Sequence, residues 1–348
     1  MTEPPLGTVR ADQTIGEAFT AASSSGRVAV VVGADGRLLG VVTDGDIRRA
    51  AAAGRSLERP VAELLSTAPV ALRRDDGEAR ARERFEATRL PVLAVVDDAG
   101  RPVALRRLAD VVPEEAVTPL GVLMVGGRGE RLRPLTDKMP KPLLRIGGAA
   151  IVERLITAFG AAGVDEAFLT VNYLAEMFEE RLGDGSSLGV HLHYVREEQA
   201  MDTAGSLSLL PPTDRLLLVS NGDLVTTVDF AAMVEFHRFH RSAITVAGVQ
   251  YAAKVPYGVL RTAEHHLLHV DEKPTTHLLV NAGMYVLSPE VLRYVPGDKP
   301  YKMTELIDDV LRDGRGVSVF PVLERWSDIG SKEEFERVLF EFAVEEES

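Results

Sequence analysis

Leu120-Gly121-Val122-Leu123-Met124-Val125 runs straight into Gly126-Gly127-Arg128-Gly129-Glu130-Arg131-Leu132-Arg133-Pro134-Leu135-Thr136, and Pro140-Lys141-Pro142 follows. The apolar run has the length and composition of a buried strand. Gly126, Gly127 and Gly129 carry no Cβ, so backbone N–H groups in this loop can close on an anion. Arg131 and Lys141 bring fixed positive charge to the same place, and the prolines flanking Lys141 stiffen the chain on either side. Such equipment suits the phosphates of a nucleoside triphosphate. The spacing is neither G-x-x-x-x-G-K-[ST] nor G-x-G-x-x-G.

Outward from this stretch, strands alternate with helices. Ile151, Val152, Leu155, Ile156 and Phe159 fall on one helical face, which ends near Gly160 and Gly163. Phe168–Val171 reads as the next strand, 174–182 as the next helix, and 190–195 and 216–220 as further strands. The alternation is that of a parallel, doubly wound α/β sheet, and the fold class expected is α/β with a Rossmann-like, doubly wound, mixed sheet. Ligands of such sheets bind at the carboxyl ends of strands. The glycine loop lies at one such end, and Asn221-Gly222-Asp223 lies at another.

The 348 residues suffice for two domains, and 45% hydrophobic against 26% charged residues is a globular balance. A net charge of −13 argues against a nucleic-acid partner, so any phosphate site must be built from local cations. With no cysteine, disulfides, thiolate catalysis and thiolate metal sites are excluded. The start Met1-Thr2-Glu3-Pro4-Pro5 has neither the basic nor the apolar part of a signal peptide. No apolar run reaches the roughly 18 residues that span a membrane. The expectation is a cytoplasmic protein with no membrane partner.

Residues 1 to about 117 differ. Strand-like Val28–Val32 and Leu38–Val42 flank an Ala34-Asp35-Gly36-Arg37 turn, and Val92–Val96 and Pro102–Leu105 flank a second turn ending Gly100-Arg101. A helical stretch precedes each hairpin, and the copies recur about 64 residues apart, which marks an internal repeat. Gly40-Val41-Val42-Thr43-Asp44-Gly45-Asp46-Ile47 resembles the G-h-x-[ST]-x-x-D motif of cystathionine-β-synthase-type (CBS) modules. That resemblance implies a tandem pair over 1–117 with a regulatory or dimerising role. It also implies that Thr43 and Asp46 meet the phosphate and ribose of an adenine nucleotide. In the second copy Asp110 remains while Arg107 stands where Thr is expected. Pro113 to Pro119 reads as a linker.

The loop and Pro140-Lys141-Pro142 together resemble the G-G-x-G-x-R-L-x-P-L-T…P-K-P signature of sugar-nucleotide pyrophosphorylases, which are sugar-1-phosphate nucleotidyltransferases. That resemblance implies a catalytic domain over 118–348 and attack by a sugar-1-phosphate oxygen on the α-phosphorus of a nucleoside triphosphate. On it, Gly126, Gly127, Gly129 and Glu130 cradle the triphosphate. Arg131 steadies the pyrophosphate, and Lys141 bridges to the α-phosphate. Asp223, with Asp328 of Trp326-Ser327-Asp328-Ile329-Gly330, holds Mg2+. Glu272-Lys273-Pro274 and Asn281-Ala282-Gly283-Met284-Tyr285 resemble the family's sugar-side motifs, which assigns Lys273 to the sugar phosphate and Asn281 to sugar hydroxyls.

Base recognition is expected along Glu197-Glu198-Gln199-Ala200-Met201-Asp202-Thr203-Ala204-Gly205, where the family has E-x-x-x-L-G-T-A-G. Gln199, Asp202, Thr203 and Ala204 are assigned to the nucleotide and Gly205 to the sugar phosphate. Asp202 replaces the family's Gly, and its carboxylate could accept from guanine N1–H and N2–H2 or from a hydroxyl. Glu130, where many relatives have Thr, is a second departure. Asn221-Gly222-Asp223 with Val171-Asn172-Tyr173 looks more like guanylyl- or uridylyltransferases than the thymidylyl type, so GTP is favoured. The acceptors implied are sugar-1-phosphates or sugar-like cyclitol phosphates.

Uridylyl, thymidylyl or cytidylyl transfer, a non-sugar phosphate acceptor, and a nucleotide sensor with an inactive transferase domain are the competing readings. The pairs His191/His193 and His237/His240 have metal-compatible spacing but no evident third ligand, and Ser206 and Ser220 lack a base motif. A homodimer or higher homo-oligomer is expected.

Overall fold

In the computed structural model, residues 6–65, 69–88, 90, 92–111, 117–297 and 299–346 are described. The chain divides into two compact units, Met1–Val117 and Thr118–Ser348. The linker expected at 113–119 falls largely outside the described residues.

The repeat in the first unit is a repeat of topology. Strands Thr8–Arg10, Val28–Val32 and Leu38–Thr43 form one three-stranded sheet, and Ala71–Arg73, Val92–Val96 and Pro102–Arg107 form another. In each, the first strand runs parallel to the second and the second antiparallel to the third. Helices Ile15–Ser24 and Glu78–Thr88 fill the crossovers. The copies join through Val30, Val32 and Leu38 packed with Ala94, and through the Leu38 amide donating to the Gly100 carbonyl at 2.9 Å.

The second unit is built on seven strands: β1 Leu120–Met124, β2 Glu166–Val171, β3 His191–Arg196, β4 Leu217–Asn221, β5 Ile244–Lys254, β6 Thr275–Leu287 and β7 Val317–Val322. Their order is β3-β2-β1-β4-β6-β5-β7. Only β6 is reversed, running antiparallel to both β4 and β5, so the sheet is mixed. Alternate side chains of each strand feed two cores. On one face Leu123, Val125, Leu169 and Val171 pack with Ile156 and Phe159 of α1 (Ile151–Ala161) and Phe178 of α2 (Ala175–Leu182). Phe230 and Met233 of α3 (Phe230–His240) join the same core. On the other face Leu120, Val122, Leu217 and Val219 meet Leu306 and Val310 of α4 (Met303–Arg312). Burying one such leucine or phenylalanine is worth about 1.5–3 kcal/mol.

Strands β5 and β6 run on past the sheet with mostly exposed side chains, and a separate hairpin, Val259–Ala263 with His266–Asp271, lies between them in sequence. Among the described residues no helix is long and apolar enough to cross a membrane.

Candidate active site

The carboxyl ends of β1, β2, β3 and β4 open onto one cleft of about 520 Å3, to which they contribute Met124, Thr170, Glu197 and Asn221. Gly126, Gly127, Gly129, Glu130 and Arg131 form its phosphate-loop wall. Gly129 sits at φ +61°, and a Cβ there would come within 2.9 Å of Thr136 Cγ2 and 3.2 Å of Lys141 Cβ. Thr136 Oγ1 donates to the Gly129 carbonyl at 2.7 Å. The loop is thereby folded down onto the segment carrying Lys141.

Lys141 begins a short 3-10 turn between its two prolines and is buried. Its Nζ donates to Asp223 Oδ2 at 2.5 Å and approaches Asp328 Oδ1 at 3.5 Å. Local backbone explains why the two carboxylates meet. Gly222 passes so close to β1 that a Cβ would strike Val125 Cγ1 at 2.3 Å, and its amide donates to the Met124 carbonyl at 2.9 Å. The short strand Leu224–Thr226 then pairs antiparallel with Trp326–Asp328, with Leu224 opposite Asp328. Trp326 Nε1 anchors the second of these strands to the Ala282 carbonyl at 2.9 Å. Gly330 lets Arg131 approach, since its Cβ position lies 3.4 Å from Arg131 Nη1.

Two carboxylates against one ammonium leave this cluster short of positive charge. Burial holds the Asp328 carboxyl above the ordinary carboxylate range, Asp223 adds to that rise, and Lys141 opposes it. A further hard cation would relieve the deficit. Two carboxylate oxygens, with phosphate oxygens to complete a shell, match Mg2+. Among the described residues no group of three or more His, Asp or Glu side chains is arranged to hold a metal without a ligand's help.

Ala200, Asp202 and Thr203 line the same cleft. Asp202 has φ +62°, an uncommon conformation for a non-glycine residue. Its Oδ1 accepts from the Thr203 amide at 2.9 Å, and Thr203 Oγ1 accepts from the Met303 amide at 2.8 Å. Glu197 Oε2 accepts from the Met201 amide at 3.3 Å. Burial raises the Glu197 carboxyl, the Met201 bond opposes this, and Asp202 adds to it.

Of the residues expected from sequence, the cleft is lined by Gly126, Gly127, Gly129, Glu130, Arg131, Lys141, Asp202, Thr203 and Asp223, with Asp328 bonded to Lys141 at its edge. Ala204 and Gly205 are buried, and their amides donate to the Tyr301 carbonyl at 2.8 and 2.9 Å, so they build the wall from behind. Gln199 lies 3.9 Å from Met201 Sδ, outside the lining. Asn281 accepts from the Gly283 amide at 2.9 Å, and Gly283 abuts the cleft residue Asn221. Lys273 is exposed in a turn at φ +47°, outside the lining.

Thr43 and Asp46 form a reciprocal cap on the helix Asp44–Ala52. Asp110 accepts from the Arg107 amide at 3.1 Å, while Arg107 Nη2 donates to the Gly26 carbonyl at 2.8 Å. The histidine pairs serve packing. His193 stacks on Phe168 and meets Glu166 at 2.7 Å, and buried His237 bonds Thr245 and Ser288. Glu197, quoted above only as the start of the base-side stretch, and Thr170 and Asn221 were not singled out. All three sit at or just beyond a strand's carboxyl end, where the ligand rule for such sheets points.

The family model for nucleotidyl transferases matches residues 120–343, and that for the CBS domain matches 1–53, the first repeat. A mannose-1-phosphate guanylyltransferase of Mycobacterium tuberculosis is 32% identical over 225 residues. A mannose-1-phosphate guanyltransferase of Candida albicans is 31% identical over the same length. Each match covers 62% of this chain, which spans only 62% of either relative's length. In structure, HddC from Yersinia pseudotuberculosis shares the fold at a TM-score of 0.51 and 23% identity, over 64% of this chain and 99% of that one. With a family model matched over most of its length, and its glycine loop, Lys141 and Asp223 lining a single cleft, the chain belongs to the nucleotidyl transferase family.

Proposed function

We propose that the cleft transfers a guanylyl group from GTP to a sugar-1-phosphate, giving a GDP-sugar and pyrophosphate. The observation that carries this reading is the Lys141 ammonium held between Asp223 and Asp328 at the foot of the glycine loop. The guanylyltransferase names of the M. tuberculosis and C. albicans relatives support GTP and a hexose-1-phosphate, mannose-1-phosphate first.

In this reading a phosphate oxygen of the sugar forms a bond to the α-phosphorus, and the bond from that phosphorus to the bridging oxygen of the β-phosphate breaks. Such transfers need positioning and charge neutralisation rather than a covalent protein intermediate. Amides of Gly126 to Glu130 orient the triphosphate, and Arg131 takes up charge on the departing pyrophosphate. Lys141 draws the α-phosphate and the incoming sugar phosphate together. Asp223 and Asp328 would hold Mg2+, which supplies neutralisation of phosphate charge. Asn281, bonded to the Gly283 amide, serves the sugar hydroxyls, and Lys273 the sugar phosphate. Because GTP is the donor, we place the protein in the cytoplasm.

The N-terminal unit is inferred to regulate and to dimerise. Its first repeat, with Thr43 and Asp46, is the adenine-nucleotide site, and Arg107 makes the second repeat a poorer one. A pyrophosphate-release assay crossing the common nucleoside triphosphates with a panel of sugar-1-phosphates, cyclitol phosphates and phosphocholine tests the reading. Release with GTP and a hexose-1-phosphate is expected. Absence of release with every pair, from protein that still binds GTP, would establish the sensor instead.

A further inference from the structure

Asp202 is the residue whose placement the fold goes out of its way to achieve. Its backbone is left-handed at φ +62°. Asp202 lines the cleft and is exposed, and its carboxylate accepts from a local partner, the Thr203 amide at 2.9 Å. No ion pair joins it to a cation among the described residues. Glu197, another acidic residue of the lining, accepts from the Met201 amide, and its Oε2 lies 3.6 Å from the Cβ position of Gly126.

Charge then sorts the ligand. Both substrates carry their negative charge on phosphates, and the cleft's cations, Arg131 and Lys141, belong to the glycine-loop side. A phosphate beside Asp202 and Glu197 would be repelled without compensation. What faces Asp202 must therefore be an uncharged part of a substrate that offers hydrogen-bond donors. A carboxylate has two acceptor oxygens and no donor. Among the common bases only guanine presents two adjacent donors, N1–H and N2–H2, to such a group. Uracil and thymine flank their one N–H with carbonyl acceptors. Cytosine and adenine set a ring-nitrogen acceptor beside their amino group, where a carboxylate would face it lone pair to lone pair.

We propose that Asp202 is a specificity-determining residue that reads the guanine edge of the donor nucleotide, taking N1–H and N2–H2 on its two carboxylate oxygens. This rests on the reading of the cleft as the nucleotide site, and it goes further by naming the group that selects the base. Glu197, electrostatically coupled to Asp202, adds to the negative potential that disfavours an acceptor edge turned towards Asp202.

The test compares GTP with inosine triphosphate, which keeps N1–H and lacks the 2-amino group, by calorimetric binding and by kcat/KM for pyrophosphate release in the full-length protein. Wild type is expected to prefer GTP by about tenfold or more. Asp202→Asn, which tolerates the left-handed backbone, and Asp202→Gly, which adopts it freely, should both bring the ratio to near one. Inosine triphosphate should weaken less than GTP, because it forfeits only the N1–H bond while GTP forfeits N1–H and N2–H2, and KM for the sugar phosphate should stay within about threefold of wild type. An unchanged ratio in both variants, or a rise confined to the sugar-phosphate KM, would overturn the assignment of Asp202 while leaving the nucleotide site standing. A wild type that bound no triphosphate would overturn the site and this inference together.

Discussion

Thr43 and Asp46 in the first unit and Lys141, Asp223 and Asp328 in the second are both sets picked out by motif, yet the fold uses them differently. Thr43 and Asp46 lie three positions apart and satisfy each other: the Thr43 amide and hydroxyl donate to Asp46 Oδ2 at 2.8 and 2.6 Å, and the Asp46 amide returns a bond at 3.2 Å. A helix start needs this much by itself. Lys141 meets its carboxylates from 82 and 187 positions away, in a cleft and with charge left over. No local rule demands that arrangement. Convergence from distant sequence onto an open cavity, with incomplete charge balance, separates a ligand site from a structural motif of similar composition.

The largest effect expected from this contrast is on catalysis. Lys141→Ala and Asp223→Asn should each lower pyrophosphate release about a thousandfold. Thr43→Ala, measured beside them with GTP but no adenine nucleotide, should leave release within twofold. Comparable losses in all three would erase the distinction.

A buried cluster in the second unit sharpens the point, because it also converges from afar but lies outside the lining of the cleft. His237 Nδ1 meets Thr245 Oγ1 at 2.9 Å, Nε2 meets Ser288 Oγ at 3.1 Å, and Thr245 Oγ1 meets Ser318 Oγ at 2.9 Å. Burial, with Arg238 adding to it, pushes the His237 pKa down to about 4 from 6.5. The folded state therefore prefers the neutral ring, and the unfolded state takes up the proton first as pH falls. This contribution is whole above pH 6.5 and is lost progressively towards pH 4, up to about 3 kcal/mol. His237→Ala, which lacks this titration, should lose less stability than wild type on acidification, by up to about 3 kcal/mol, so the two melting curves should converge or cross between pH 7.5 and 4.5. Melting temperatures of the two that fell in parallel from pH 7.5 to 4.5 would show that His237 does not carry the effect.

Smaller still is the cap. Thr43→Ala should cost about 1 kcal/mol in denaturant unfolding of the first unit. Calorimetric titration with AMP and ATP asks whether the same pair also has a ligand. Heat of binding in wild type that vanishes in Asp46→Asn is expected, and no heat in either would leave Thr43 and Asp46 a cap alone. The smallest change is expected at Lys273, exposed in its turn. Lys273→Ala should raise the sugar-phosphate KM about threefold to tenfold with kcat nearly unchanged. A large fall in kcat would place it in the reaction itself.

Much of the second unit was legible because its signals are local. Leu120–Met124 is an unbroken apolar run ending in glycines, and the buried face of Ile151–Ala161 repeats at helical spacing. The reversed β6 and the long exposed extension of β5 and β6 were not. Strand direction leaves no mark on alternation, and an exposed ladder lacks the apolar period that burial imposes. The same limit explains the site. The family resemblance assigns Asp223 and Asp328 to one ion, but nothing local in the sequence shows the ladder pairing Leu224 with Asp328, a long-range pairing that brings them to one ammonium. Glu197 has no role assigned by its motif, because paired glutamates after a strand read as a solvated end, and only the fold shows that Glu197 lines a cleft.

The most direct test of the central claim is a double-mutant comparison on pyrophosphate release with GTP and a hexose-1-phosphate, using Asp223→Asn, Asp328→Asn and the two combined. If both carboxylates act as one unit with Lys141, each single change removes most of the activity and the pair together costs no more than a few-fold beyond the worse single variant. Losses that multiply, each residue subtracting its share independently, would contradict a shared centre.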